Sequence, residues 1–415
     1  MNIYFSGIGG VGIGPLAEVA LDADYMISGS DRAPSPVSRQ IADRGVAIDY
    51  SQDGSFLRRQ HQANPIDWLV YTAALPSDHP ELLAAQELGI KTSKRDELLA
   101  HIIADKNLKL IAVSGTHGKT TATSMLIWLF KKLGVPASHL VGTTLSFDQS
   151  GKYQPDSEYF IYECDEFDRN FLHFSPHLSL ITSLDYDHPD TYPSESDYLD
   201  AFRQFGTQSD QLIAWWSQHG ELFAEHPDAW LLDESIDIRL AGAHNRRNGT
   251  LILKAVEKLS VKGEAQQALE SFPGADRRFE RLANNLYSDY GHHPVEITAT
   301  LQMARELSDH VVLVYQPHQN IRQHEIRESY TRDVFIDAEE IYWLPTYLSR
   351  EDPNLDILSP RQLTVDMSDT HLIFPELNDD LWVAIEAHLN AGHLVLCMGA
   401  GSIDEWVRDQ SVNRP

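Results

Sequence analysis

The nine residues Val113-Ser114-Gly115-Thr116-His117-Gly118-Lys119-Thr120-Thr121 indicate the clearest chemistry in this chain. They follow an apolar run, 108–113, that predicts a strand, and they lead into a segment, 120–133, that predicts a helix. A glycine turn between a strand and a helix points backbone N–H groups at an anion, while a lysine adds positive charge and a threonine hydroxyl binds Mg²⁺. The usual pattern requires glycine at Val113, so the stretch predicts a nucleoside triphosphate site of an unusual subclass. The alternative is a chance Gly-Lys-Thr in a loop.

A second glycine turn opens the chain. Gly7, Gly9 and Gly12 follow the predicted strand 3–6 and precede a predicted helix. This G-x-G-x-x-G pattern can hold a diphosphate without the ligand being a dinucleotide, although a tight turn that binds nothing is the alternative. A second strand is predicted at 25–28, before Asp31, and another at 67–73.

Acidic side chains follow two further predicted strands. Glu163 comes directly after 159–162, and Asp187-His188 follows 178–184. Ligands of open parallel sheets lie at the carboxyl ends of strands, and hard oxygen ligands suit Mg²⁺. We therefore expect the metal ligands there. Three other acids on the first loop, Asp165, Glu166 and Asp168, could equally cap a following helix.

Three polar segments have candidate roles in binding. Residues 242–248 carry an imidazole and amides before a predicted helix, 251–259, and could contact a base, although an N-cap is the simpler interpretation. An arginine in 276–280 could bind phosphate bidentately, against the alternative of a surface ion pair. Residues 289–293 place an acid and two histidines on a predicted loop before Pro294, where the acid could accept hydrogen bonds from a ribose.

Composition sets limits on the class of protein. The 415 residues are 42% hydrophobic and 23% charged, with a formal net charge of −28, which argues against binding nucleic acid or an anionic membrane. The two cysteines form no disulfide framework or zinc pattern, as is typical of a reducing cytoplasm. The N-terminus predicts no signal peptide, and no apolar run approaches the roughly 18 residues of a membrane helix. We expect a cytoplasmic protein without membrane insertion.

Strand–helix alternation divides the chain into three predicted domains of α/β class. Residues 1–104 predict a Rossmann-like domain and residues 105–271 a central P-loop ATPase-type domain. Residues 272–415 predict a second Rossmann-like α/β domain, with strands at 311–315, 340–344 and 394–398 and helices at 294–307 and 380–390.

Taken in order, these motifs resemble the Mur ligase family, the ATP-dependent amide-forming ligases of peptidoglycan assembly. The resemblance covers nearly the whole chain, and the G-T-H-G-K-T-T form of the cradle accounts for Val113. It rests on the following segments: 113–121, Glu163, Asp187-His188, 242–248, Arg277-Arg278-Phe279 and 289–294. Within the family, 7–12, 28–31, the Tyr-Gly-His-His-Pro form of 290–294, and Gln316-Pro317-His318 with Arg322 point to members that join L-alanine to UDP-N-acetylmuramate.

The resemblance implies a role for each matching residue. ATP would be bound by Gly115, Thr116, His117, Gly118, Lys119, Thr120, Thr121, His244, Asn245 and Asp289. Mg²⁺ would be held by Thr120, Glu163 and His188, and the catalytic set would be Lys119, Glu163, His188 and Arg278. The UDP-linked substrate would lie against Gly9, Gly10, Val11, Gly12 and Asp31, and the amino acid near His292, His318 and Arg322. The chemistry implied is activation of a carboxylate as an acyl phosphate, followed by attack of an amine.

The chain departs from the family pattern after His318. Gln319 stands where the family usually has an arginine, and Arg322 keeps the second expected charge. The middle section is also short between 205 and 240. Three alternatives therefore stay open: a recycling ligase that attaches a tripeptide to the same substrate, a non-catalytic nucleotide-binding protein, and an NAD-dependent oxidoreductase. The expected assembly is a monomer or a homodimer.

Overall fold

The computed structural model describes residues 1–72, 75–189, 191–349, 351–367 and 371–413. Three largely parallel β-sheets with flanking helices confirm the predicted α/β class. The chain divides into two compact units, which are Met1–Ser235 with Asn248–Phe272, and Ile236–Arg247 with Pro273–Pro415. The three-domain boundaries at 104/105 and 271/272 stay predictions.

The first sheet belongs to the larger unit. Its elements are β1 (Asn2–Ser6), α1 (Gly14–Asp22), β2 (Met26–Ser30), α2 (Pro36–Asp43), β3 (Ala47–Asp49), α3 (Ser55–Ala63), β4 (Trp68–Tyr71), α4 (Pro80–Glu87), β5 (Lys91–Ser93) and α5 (Arg95–Asp105). All five strands are parallel, in the order β3-β2-β1-β4-β5. Because β1 lies between β2 and β4, the winding reverses there, and the turn after β1 is at the edge where open sheets bind ligands. The strand predicted at 67–73 is shorter in the structure, Trp68–Tyr71, and Ala73 lies outside the described residues.

The second sheet completes the larger unit. Its elements are β6 (Lys109–Ser114), α6 (Lys119–Leu133), β7 (Ala137–Leu140), β8 (Gly151–Lys152), β9 (Tyr159–Glu163), β10 (Leu178–Ile181), α7 (Glu195–Thr207), β11 (Gln211–Trp215), β12 (Ala229–Leu232), α8 (Ala243–Lys258) and α9 (Ala265–Glu270), with 3-10 turns at Phe167–His173 and Gly220–Phe223. Residues 243–247, the start of α8, belong to the smaller unit. The strand order is β12-β11-β10-β6-β9-β7-β8, and the β7–β8 pair is antiparallel. Since β6 lies between β9 and β10, the cradle and both acidic loops follow three adjacent strands.

The smaller unit contains the third sheet. Its elements are β13 (Glu280–Ala283), β14 (Leu286–Asp289), α10 (Pro294–Leu307), β15 (Val311–Tyr315), α11 (Asn320–Ile326), β16 (Glu340–Trp343), α12 (Pro360–Leu363), β17 (Leu372–Ile373), α13 (Asp379–Asn390), β18 (Leu394–Met398) and α14 (Ile403–Asn413), with 3-10 turns at Arg327–Ser329 and Arg332–Phe335. The order is β13-β14-β18-β15-β16-β17; the β13–β14 hairpin is antiparallel and the other pairs are parallel.

Among the described residues, no helix combines the length and apolarity that crossing a membrane requires.

Two local predictions were wrong. The helix expected at 251–259 begins earlier, at Ala243, so His244, Asn245 and Asn248 lie in its first turns and not before it. Asp289 is the last residue of β14 and not part of a loop. Both elements carry polar residues where apolar ones would have indicated them, and apolar periodicity was the signal used to place helices and strands.

The two sheets of the larger unit share one buried hydrophobic cluster, which includes Leu16, Leu99 and Phe160. Close approach of backbone also joins them, because a Cβ on Gly151 would lie 2.0 Å from the carbonyl oxygen of Pro15. Only glycine fits at that contact between β8 and α1. This shared core holds the first glycine turn and the phosphate cradle in one compact body.

Glu18 of α1 is a buried carboxyl group within this core, and we expect it to cost stability at neutral pH. Burial raises its pKa from 4.5 to about 7, against the opposing effect of Arg44. Because the pKa of Glu18 is higher in the folded protein than in the unfolded chain, the free energy of unfolding falls as pH rises from 4.5 to about 7. Glu18→Gln should therefore raise the free energy of unfolding by on the order of 2 kcal/mol above about pH 7. Urea unfolding at about pH 8 and pH 4 checks this, since an equal gain at both pH values would contradict it.

Candidate active site

The turn between β6 and α6 has a backbone that requires glycine at two positions. Gly115 has φ 128° and Gly118 has φ 83°, both in the region that disfavours side chains. A Cβ on Gly115 would lie 2.4 Å from Thr182 Oγ1, and one on Gly118 would lie 2.9 Å from the amide nitrogen of Asn248. The spacing of these glycines is therefore fixed by conformation and by close packing.

The turn is bonded to the loop that follows β10. The N–H groups of Thr116 and His117 donate to the carbonyl and hydroxyl oxygens of Ser183 at 2.9 and 3.0 Å. The hydroxyl of Thr116 donates to the carbonyl of Asp185 at 2.8 Å. Thr121 lies in the first turn of α6. These bonds hold the cradle in shape before any ligand binds.

Lys119 forms a buried ion pair with Glu166. Its Nζ lies 2.7 Å from Glu166 Oε2 and also donates to the carbonyl of Gly115 at 2.7 Å. The Glu166 side chain is fully buried. Burial opposes the charge on Lys119, but the carboxylates of Glu166, Asp165 and Glu163 outweigh it, so the pKa of Lys119 is raised. Lys119 is thus a fixed ammonium group at the base of the cradle.

Thr120 and Glu163 meet beside this pair. The Thr120 hydroxyl donates to Glu163 Oε1 at 2.6 Å, and the N–H of Gly142 donates to Oε2 at 2.8 Å. A hydroxyl and a carboxylate are hard oxygen donors, so these two side chains fit Mg²⁺. The described residues contain no cluster of three or more His, Cys, Asp or Glu placed for a metal. Such a sparse donor set suits an ion that takes its remaining ligands from water and substrate phosphates.

His188 approaches the same centre from the loop after β10. Its Nε2 lies 3.7 Å from Glu166 Oε1 and 3.8 Å from Asp187 Oδ2, and its ring packs edge-on against Phe167 at 5.2 Å. Glu166 therefore lies between Lys119 and His188. Lys119 and His188, from two separate segments, thus meet at the buried carboxylate of Glu166, which comes from a third.

The first glycine turn is organised by Asp31. The N–H of Gly9 donates to Asp31 Oδ2 at 2.7 Å, and the Ser35 hydroxyl donates to the Gly9 carbonyl at 3.1 Å. Val11, at the tip of the turn, is 84% exposed. Asp31 shapes the turn in the structure. The binding of a UDP group by Gly9, Gly10, Val11 and Gly12 stays a prediction.

In the smaller unit, Asp289 joins two loops. Its carboxylate accepts from the N–H of Phe279 and from that of Gly291, each at 2.7 Å. Burial raises the pKa of Asp289 to about 6, although Arg278 opposes the shift. Arg278 also lies over the ring of Tyr290, 5.2 Å from its centroid. The structure thus shows Asp289 positioning these loops, and its contact with a ribose stays a prediction.

The amide and imidazole predicted to contact adenine lie at the start of α8. Asn245 donates to the Ala241 carbonyl at 3.0 Å and to the Met303 sulfur at 3.3 Å. Burial lowers the pKa of His244 to about 4, so its ring is neutral at physiological pH. A neutral imidazole has one donor and one acceptor, which is compatible with a base edge.

The predicted amino-acid site is partly assembled. The ring of His318 stacks on Tyr347 at 5.8 Å and meets that of His292 at 6.1 Å. Gln319 precedes α11 with φ 59°, and Arg322 lies 3.5 Å from Glu325. The two histidines therefore lie side by side, whereas the role of Arg322 stays a prediction.

Two residues make contacts in the cradle that the sequence did not predict. Glu166 was weighed only as a metal ligand or a helix cap, and its pairing with Lys119 depends on the folded loop after β9. Asn248 is buried against Gly118, and its amide nitrogen has no hydrogen-bond partner among the described residues. The signal for Asn248 in the sequence was its position in the polar segment 242–248, three residues after Asn245.

Two segments of the chain, which carry the first glycine turn and the cradle, match the domains of one protein family. Residues 2–107 match the Mur ligase family catalytic domain and residues 113–225 the Mur ligase middle domain. The chain belongs to the Mur ligase family.

Comparison with individual proteins gives more detail. The chain is 29% identical to UDP-N-acetylmuramate--L-alanine ligase of Carboxydothermus hydrogenoformans, covering 98% of this chain and 95% of the relative. It is 30% identical to the ligase of that name from Clostridium perfringens, over 97% and 96%. Among solved structures, UDP-N-acetylmuramate-alanine ligase of Thermotoga maritima superposes with a TM-score of 0.76 at 22% identity, covering 100% and 99% of the two chains. A murein peptide ligase from Psychrobacter arcticus gives 0.67 at 22%, with the same coverage.

Proposed function

We propose that this protein is an ATP-dependent ligase that joins the carboxylate of UDP-N-acetylmuramate to L-alanine, in the synthesis of peptidoglycan precursors. The observation that carries the proposal is the joining of Lys119, Thr120 and Glu163 in one cradle. Near-full-length similarity to relatives of that name supports the choice of substrates. Solved structures of a murein peptide ligase and of a UDP-N-acetylmuramate:L-alanyl-gamma-D-glutamyl-meso-diaminopimelate ligase, each at 22% identity, support the rival tripeptide ligase through their fold.

A carboxylate oxygen is a poor leaving group, so amide formation requires activation by phosphoryl transfer from ATP to an acyl phosphate. Phosphoryl transfer depends on positioning and charge neutralisation more than on covalent chemistry by the protein. Lys119 and the backbone of the cradle would bind the transferring phosphates, and Arg278 would add a second cation. Asn245, His244 and Asp289 would hold the nucleoside. His318, His292 and Arg322 would orient the amino acid.

Thr120, Glu163 and His188 would hold Mg²⁺, whose contribution when bound is to neutralise developing charge on the phosphate oxygens. The Thr120 hydroxyl and the Glu163 carboxylate keep their oxygens together through the 2.6 Å hydrogen bond. His188, whose Nε2 lies 3.7 Å from Glu166 Oε1, would support a second metal ion near the acyl phosphate.

One assay separates this function from its rivals. ADP release is measured on mixing the protein with ATP, Mg²⁺ and UDP-N-acetylmuramate, and then adding L-alanine, the tripeptide L-alanyl-γ-D-glutamyl-meso-diaminopimelate, or no amine. Release that depends on L-alanine supports the proposal. Dependence on the tripeptide would establish the recycling ligase, and no release with either amine would favour a non-catalytic nucleotide-binding protein.

Gln319 gives a prediction about the amino-acid site. The variant Gln319→Arg adds a cation next to His318 and, like glutamine, has no branch at Cβ; the backbone there has φ 59°. If this position faces the carboxylate of L-alanine, the KM for L-alanine should fall by about tenfold to hundredfold, since one charge-assisted hydrogen bond contributes roughly 1.5–3 kcal/mol. Steady-state kinetics in L-alanine check this, with Gln319→Met as the uncharged control. An unchanged or higher KM would place Gln319 away from the amino acid.

A further inference from the structure

Arg95, the first residue of α5, lies between the two glycine turns of the larger unit and has no role in the function described above. Its Nε is 3.5 Å from Asp96 Oδ1, and its Nη2 is 3.9 Å from Asp165 Oδ2. Asp165 belongs to the acidic loop that also carries Glu163 and Glu166. One edge of the guanidinium group therefore faces the ATP cradle.

The remaining nitrogen faces the first glycine turn. A Cβ on Gly12 would lie 3.1 Å from Nη1 of Arg95, so glycine at this position lets the guanidinium group approach the turn closely. Gly12 is half-buried, and the Arg95 side chain is 30% exposed. A planar guanidinium group thus extends from the predicted diphosphate site to the acidic loop.

The two carboxylate contacts of the Arg95 guanidinium group are long. Both carboxylate contacts are longer than the roughly 2.7–3.2 Å of a normal N–H···O bond. The adjacent Lys94, by contrast, is in direct contact with Asp168, and Asp96 already accepts a 2.8 Å hydrogen bond from Tyr162. Five N–H donors in a fixed fork match a phosphate group well.

We propose that Arg95 binds the diphosphate group of the UDP-linked substrate at the first glycine turn, and so fixes the substrate beside the acidic loop of the ATP cradle. This inference rests on the proposed function for the identity of the substrate. The position of Nη1 beside Gly12 and the two long ion pairs carry it. In a chain with net charge −28, an anionic substrate needs such a local cation.

Direct binding measurements on the full chain test the proposal without requiring turnover. Calorimetric titration with UDP-N-acetylmuramate and with UDP should show about tenfold to hundredfold weaker binding of both to Arg95→Met than to wild type. Arg95→Lys should recover part of the loss, because it keeps the charge and loses the fork. The affinity for a non-hydrolysable ATP analogue with Mg²⁺ should change by less than about threefold.

The control is Arg58→Met, which removes the same charge from an exposed ion pair with Glu87 and should bind UDP like the wild type. Unchanged UDP affinity in Arg95→Met would overturn the proposal. Weaker binding of UDP-N-acetylmuramate with unchanged binding of UDP would also overturn it, because the contact would then be with the muramyl carboxylate. Equal loss of UDP and ATP-analogue binding would indicate a structural role only. Failure of the wild type to bind UDP-N-acetylmuramate would overturn the proposed function as well.

Discussion

Replacing Lys119 by alanine should reduce ATP-dependent product formation by about 10³-fold or more, the largest effect expected for a single change in this protein. The ammonium group is the cation at the base of the cradle, and its charge is held on by three neighbouring carboxylates. Loss of one preorganised cation or donor at a transferring phosphoryl group typically costs about 10²–10³ in rate or more. ADP release under saturating substrates measures the effect, and near-normal turnover would remove Lys119 from the chemistry.

A double variant separates the role of Lys119 in catalysis from its role in folding. Removing Lys119 alone leaves the fully buried Glu166 without its ion-pair partner at 2.7 Å, which destabilises a protein by roughly 3–5 kcal/mol unless the carboxyl group takes up a proton. The double variant Lys119→Met/Glu166→Gln removes both charges and should regain most of that stability while staying inactive. Thermal unfolding of both variants checks this. Recovery of activity in the double variant would show that Lys119 serves only to neutralise Glu166.

Replacing Glu163 by glutamine should lower turnover by about 10²-fold and raise the Mg²⁺ concentration needed for half-maximal activity. The change is nearly isosteric, so the carbonyl oxygen can still accept from Thr120 or from the N–H of Gly142. What is lost is the negative charge that a divalent cation requires. The activity of Glu163→Gln is measured as a function of Mg²⁺ concentration.

Two variants of Thr120 test the same metal site. Thr120→Ser keeps the hydroxyl group that bonds Glu163 at 2.6 Å and should keep most of the activity, whereas Thr120→Val keeps the volume and loses the oxygen. A Mg²⁺ requirement that does not change in Glu163→Gln or Thr120→Val would assign the metal to other residues. Equal loss in Thr120→Ser and Thr120→Val would point to packing and not to the hydroxyl group.

The regular elements around the site were predictable because their apolar runs are long and buried. The strands at 311–315 and 394–398 and the helix at 294–307 have the predicted bounds, and the strand before Glu163 extends one residue further than predicted. Polar elements were harder to predict. The first turns of α8 and the hairpin β13–β14 carry few buried apolar side chains, so they lack the periodicity that indicates a helix or a strand.

In the site, too, some residues were predictable from the sequence and others were not. Lys119, Thr120, Glu163 and His188 belong to short motifs in which residue type and position after a strand already indicate phosphate and metal chemistry. Glu166 and Arg95 have no such motif. Each acquires its place from neighbours distant in sequence, since Glu166 meets Lys119 from 47 residues away and Arg95 lies beside Gly12. Pairings of this kind depend on which strands are adjacent, and strand order is a property of the folded chain.

The sequence by itself therefore determined the α/β class, the two glycine turns and the residue types of a phosphate and metal site, because turn geometry and strand burial are encoded locally. Only the tertiary structure decided that β6 lies between β9 and β10, and that the first two sheets share one core. Those two facts bring the cradle, the acidic loop and Arg95 together. Their physical cause is the packing of non-local apolar surfaces, which no short window of sequence specifies.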